Sequence, residues 1–167
     1  IFDYTNEERV KAGLPELVWS KGLTEYAEVR AKEIVTNYSH VREAGNYSGG
    51  AEIIYRFGIS ACDLLKDKNI DITEVAKYAV NGWMNSDGHR KVILDYEVDE
   101  YGDTWGNQSV AIGVYVENDA IYAVQVFDAG IDTVGTTIFD DLEAGLMVSP
   151  LLTGEDLERY NELIKSN

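Results

Sequence analysis

Residues 110–127 read VAIGVYVENDAIYAVQVF. Two runs rich in β-branched and aromatic residues, 110–116 and 121–127, flank the link Glu117-Asn118-Asp119-Ala120. This pattern predicts a β-hairpin. The chain before it is built differently. In KGLTEYAEVRAKEIVTNY (21–38), Leu23, Tyr26, Ala27, Arg30, Ala31, Ile34 and Val35 recur at helical spacing, with charges on the other face. A further helix is expected from Thr73, a candidate cap, with Val75, Ala76, Ala79, Val80, Trp83 and Met84 on or near one side. FDYTNEERVKAGL (2–14) is expected to be helical, capped by Asp3 or Thr5 and ended by Gly13, before an extended PELVW. HRKVIL (89–94) adds a turn or two, and shorter helical pieces are expected over AEIIYRFG (51–58) and ISACDLLK (59–66). Helices come mostly first and strands mostly later, which predicts α+β packing rather than alternating parallel units.

The chain has 167 residues, enough for one domain with an appendage. A net charge of −16 opposes binding to nucleic-acid phosphates and docking on anionic lipid, and favours cationic partners. No apolar run is long enough to insert into a membrane. The start, IFDYTNEERV, has no signal-peptide pattern, so any leader is expected to have been removed or to lie outside this chain. Cys62 is the single cysteine, which rules out an internal disulfide and reads as a buried thiol. Residues 1–127 carry 21 acids against 12 Lys and Arg, whereas 128–167 carry 9 against 2. This shift sets a boundary near 128–130, followed by an acidic extension whose VGTTIF and GEDLERYNELIK are expected to dock rather than remain disordered.

Only two histidines are present, and each lies just beyond a predicted helix: His40 in SHVR (39–42) and His89 in GHR (88–90). Glu52 lies between them in GGAEII (49–54). Imidazoles bind zinc and similar ions, and a carboxylate can orient them, but two His 49 residues apart have no local metal spacing. Ser39 and Ser86 neighbour the histidines without a G-x-S-x-G elbow, and neither H-E-x-x-H nor a P-loop occurs. The acidic run DYEVDEYGD (95–103) lacks EF-hand spacing and reads as a solvated loop. Tyr38, Tyr47, Tyr55 and Trp83 either pack the core and rim or line a groove for an apolar ligand, with packing the simpler reading. Arg42 and Arg90 are expected in structural ion pairs.

Taken in order, residues 6–34, SHVR, GGAEII, VNGWMNSDGHRKVIL (80–94), AIGVY and YAVQVF resemble the CAP superfamily of SCP-like domains, in its bacterial extracellular branch. The resemblance covers 1–127 and implies a three-layer α-β-α sandwich, a mainly antiparallel central sheet and a shallow cleft. His40 and His89 match the family's two cleft histidines, and Glu52 matches its glutamate. In many members a second glutamate follows the helix tryptophan by three residues; here that position is Ser86. The resemblance therefore implies a secreted or cell-surface binding module. Its metal site would use His40, His89 and Glu52, with Ser39, Ser86 and Trp83 around the cleft. Zinc or another divalent ion is the expected cofactor, with no organic one, and the partner is an unidentified small molecule, lipid or protein. A metal-dependent hydrolase and an adhesion or signalling domain with a vestigial cleft are the alternatives. In a chain of charge −16 both imidazoles are expected to gain protons readily, so that zinc affinity falls below about pH 6.

Overall fold

A computed structural model describes residues 1–42, 50–59, 65–66 and 69–130. The chain divides into two units, Ile1–Asp132 and Thr133–Asn167. The second unit lies outside the described residues, as do the expected docked extension, Cys62 and Tyr47.

The hairpin of 110–127 is the centre of the first unit. Strands β7 (Ser109–Glu117) and β8 (Ala120–Asp128) pair antiparallel from Ser109↔Asp128 to Glu117↔Ala120. Asn118 and Asp119 form the turn, with φ of 50° and 58°. Left-handed backbone at both central residues is the type I′ geometry that matches strand twist, and Asn and Asp tolerate it. β8 is buried from Ala120 to Phe127, as befits a strand covered on both faces.

β1 (Val18–Trp19) pairs parallel with β7, and β2 (Glu52–Gly58) pairs antiparallel with β8. The sheet order is β1-β7-β8-β2. The segment 51–58 is therefore not the helical piece that its apolar content suggests. Ile53 and Phe57 enter one core and Ile54 the other, so the run is apolar on both faces and has no period to separate strand from helix. The register Glu52↔Val126 to Gly58↔Ala120 decides the matter, because tertiary pairing outweighs local pattern. The expected helix over ISACDLLK falls largely outside the described residues; within it, β3 (Leu65–Lys66) pairs with β4 (Asn69–Ile70).

The helices occupy both sides of the sheet. α2 (Thr24–Thr36) packs Leu23, Ala27, Ala31 and Ile34 against Ile54, Ala111, Val124 and Val126. Its approach to β7 is so close that a Cβ on Gly113 would lie 1.9 Å from the Ala27 carbonyl oxygen. On the other face, α1 (Phe2–Lys11), α3 (Ile72–Met84) and α4 (Asp87–Ile93) enclose Val75, Ala79, Val80, Trp83, Ile93, Val110 and Phe127. The result is an α+β fold of three layers with one parallel strand pair in a mainly antiparallel sheet. α3 begins at Ile72, with the Asp71 carboxylate accepting from the Thr73 and Glu74 N–H groups, so Asp71 rather than Thr73 is the cap. α1, by contrast, has no side-chain cap: neither Asp3 nor Thr5 serves, and Thr5 is buried against Gln125. Residues 95–106 form a second hairpin, β5 (Tyr96–Val98) with β6 (Thr104–Gly106). Its connection folds around Asp99, whose carboxylate accepts from the Tyr101 and Asp103 N–H groups.

Candidate functional site

His40 lies four residues beyond the end of α2, and Glu52 opens β2. The fold brings them into contact, with His40 Nδ1 3.0 Å from Glu52 Oε1. Glu52 is largely buried, whereas the His40 side chain is 56% exposed. The carboxylate is held from behind by Arg30 of α2, whose Nε donates to Oε2 at 2.7 Å and Nη2 to Oε1 at 3.0 Å. Nη2 also donates to the Ser39 carbonyl, and Nη1 donates to Glu33 Oε2 at 3.3 Å. Arg30 is itself 1% exposed. Burial opposes its charge, but hydrogen bonds and attraction to Glu52, and then to Glu33, raise its pKa. Glu33 in turn takes both Nε and Nη2 of Arg42, each at 2.6 Å. The Arg42 guanidinium lies over the Tyr26 ring, 4.6 Å from its centroid. The result is an alternating chain: His40, Glu52, Arg30, Glu33, Arg42.

His89 lies on α4, just past the corner between α3 and α4. Arg90 fastens that corner by donating to the Met84 carbonyl and to Asp87. His89 is half-buried, and burial lowers its pKa below 6.5, with an electrostatic contribution from His40 in the same direction. The expectation that net negative charge promotes protonation therefore fails at His89, where local desolvation dominates.

The other expected residues occupy supporting positions. The Ser39 hydroxyl accepts from the Val41 N–H in a local turn. Ser86 is half-buried at the start of α4, with no side-chain capping bond. Trp83 is fully buried and packs near Tyr55, with ring centroids 6.1 Å apart. Trp83 can support a cleft wall from behind but offers no surface to a ligand, and its indole N–H has no partner among the described residues. Tyr55, Phe57 and Tyr78 form an aromatic cluster with it, so packing accounts for most of the aromatics near the site. Tyr38 and Val41, on either side of His40, remain 51% and 69% exposed.

Arg30 is the functional residue that pattern reading missed. It stands on the apolar stripe of α2, and a cation there needs an internal anion. That signal was present in the sequence, but nothing in the spacing named Glu52 as its partner.

Among the described residues, no group of three or more His, Cys, Asp and Glu side chains is arranged to hold a metal ion. Both oxygens of Glu52 are engaged, which suits it to orient His40 rather than to ligate. The described side chains therefore do not fit a closed three- or four-ligand centre.

The chain is 30% identical over 114 residues to the uncharacterized membrane protein YlbC of Bacillus subtilis, a match covering 61% of this chain and 29% of that protein. It is 28% identical over 128 residues to the uncharacterized protein YkwD of the same organism, covering 75% of this chain and 44% of that one. A crystal structure of an extracellular protein containing an SCP domain from Bacillus anthracis aligns with a TM-score of 0.43 and 21% identity, over 75% of this chain and 38% of that one. The chain thus spans less than half the length of each of these proteins. No helix among the described residues is long and apolar enough to cross a membrane. The model of the CAP family, the cysteine-rich secretory proteins, matches residues 2–127, and the chain belongs to that family although it carries a single cysteine.

Proposed function

We propose that this CAP domain is an extracellular or cell-surface binding module whose polar centre is the His40–Glu52–His89 group. The observation that carries the reading is the His40 Nδ1 contact with Glu52. If the carboxylate accepts from Nδ1–H, Nε2 is left with its lone pair facing outward, the form in which imidazole binds a divalent ion. The lowered pKa of His89 keeps a second imidazole in the same neutral form. A divalent ion such as zinc, when bound there, would supply Lewis acidity toward a ligand oxygen. The exposed Tyr38 and Val41 beside His40 suit a small or lipid-like ligand with an apolar part. The family's secretory description supports the location.

A hydrolase with Glu52 as general base is less well supported, because Arg30 and His40 occupy both its oxygens. Adhesion through the acidic surface requires none of these contacts. Calorimetric zinc titration of the wild type, His40→Ala and His89→Ala tests the reading. Each substitution is expected to weaken zinc by about tenfold or more. Equal affinity in all three proteins would remove the metal site.

A further inference from the structure

We infer that Arg30 and Glu33 are positioning residues that clamp the His40 segment to α2 and fix the tautomer of His40. The inference rests on the binding-module reading for its purpose, but its geometry stands separately. His40 lies on an irregular stretch, SHVR, with no sheet or helix bonds to hold it. That stretch is fastened on both sides of the histidine. On one side the Ser39 carbonyl accepts from Arg30 Nη2. On the other, Arg42 makes a two-pronged ion pair with Glu33. Both anchors are on α2, three residues apart, so one helical face sets the path of the segment.

Arg30 does more than hold the backbone. The same guanidinium grips both oxygens of Glu52, the acceptor for His40 Nδ1. A single planar fork therefore fixes the segment and the carboxylate that orients its histidine. A lysine keeps the charge but cannot make these divergent bonds at once. Free neutral imidazole favours the proton on Nε2; here the aimed carboxylate reverses that preference and leaves Nε2 bare. The arrangement has the form of a carboxylate–histidine pair prepared for a ligand at its outer nitrogen.

Nitrogen-15 NMR of the histidines at fixed pH 8, above the ordinary imidazole range, tests this without any metal. In the wild type, His40 is expected as the Nδ1–H tautomer; a majority of Nε2–H would overturn the inference. In Arg30→Lys the Nδ1–H form of His40 is expected to lose its majority while the His89 signals stay in place. If Arg30→Lys does not fold, Glu33→Gln provides the test, since Glu33 is one-third exposed and its change loosens Arg42 and the Nη1 contact of Arg30 while leaving the Arg30–Glu52 fork in place. It is expected to increase fast backbone motion at 39–42 and to mix the His40 tautomers. Unchanged order and tautomer in the folded variants would overturn the clamp. Zinc titration separates this from the binding proposal. Absent zinc binding with the expected tautomers would sink the metal reading and leave the clamp standing. Intact zinc binding in Arg30→Lys with an unchanged tautomer would do the opposite.

Discussion

At the level of single residues, the two imidazoles have identical chemistry and different surroundings. His40 is exposed and bonded to a carboxylate, whereas His89 is half-buried on α4 and sensitive to the charge on His40. Burial disfavours the charged form, so His89 is expected to titrate below 6.5. The sign of the stability effect follows. Between 6.5 and the lower folded value, the unfolded chain takes up the proton and the native one does not, so stability falls as pH falls through that window. NMR titration of His89 together with urea unfolding at several pH values measures both quantities, and His89→Asn should remove that part of the pH dependence. A His89 midpoint at or above 6.5 would contradict the burial argument. His40 and Glu52 were singled out in the sequence by short motifs, and the fold brings these two into contact. Arg30 was legible only as an anomaly, a cation on an apolar stripe, since its partner is 22 residues away.

At the level of elements, the hairpin and the helices α2 and α3 were readable because their patterns have a single interpretation. β2 was not, because a run buried on both faces shows no alternation and its strand character comes from pairing with β8. The contact between α2 and β7 depends on a single small residue. Gly113 lets the helix backbone approach to a distance at which any Cβ would strike the Ala27 carbonyl, 1.9 Å away. An alanine there must push the helix or the strand aside, and neither can move without opening the packed layer of Ala27, Ala31, Ala111 and Val124. Gly113→Ala is therefore expected to destabilise the protein by about 3 kcal/mol, at the upper end of overpacking costs. Chemical denaturation measures this directly. The same substitution displaces the helix that carries Arg30, so the His40 NMR signals should shift with the loss of stability. A Gly113→Ala protein as stable as the wild type would mean that the layers yield more easily than their packing implies.

For the molecule as a whole, the cores on the two faces of the sheet are apolar, yet the chain's distant parts are tied together by a buried cation. Arg9 of α1 is fully buried, and no ion-pair partner among the described residues holds it. Its Nε donates to the Pro15 carbonyl at 2.9 Å, Nη1 to Ile93 at 2.7 Å and Nη2 to Asn107 at 3.2 Å. These carbonyls belong to the link before β1, the end of α4 and the approach to β7. Burial lowers the Arg9 pKa, while Asp95 and Tyr96 oppose the effect. No motif announced this role, because its acceptors are backbone oxygens and carry no side-chain signature. Removing the guanidinium leaves several buried carbonyls unsatisfied at once, each worth about 1–3 kcal/mol. Arg9→Met fills the space but restores none of those bonds, and is expected to cost roughly 3–5 kcal/mol. For a chain of this size that lowers the melting temperature on the order of 10 °C. Arg9→Lys should recover little, because one ammonium cannot serve acceptors on three separate segments. Since Arg9 does not touch His40, Glu52 or Arg30, the folded variant should keep the His40 tautomer of the wild type. Calorimetry and histidine NMR on the same Arg9→Met sample therefore separate the molecule's structural cation from the one that positions its site. Full stability in Arg9→Met would show that the carbonyls find other donors, and the assignment of Arg9 as the tie between segments would then fall.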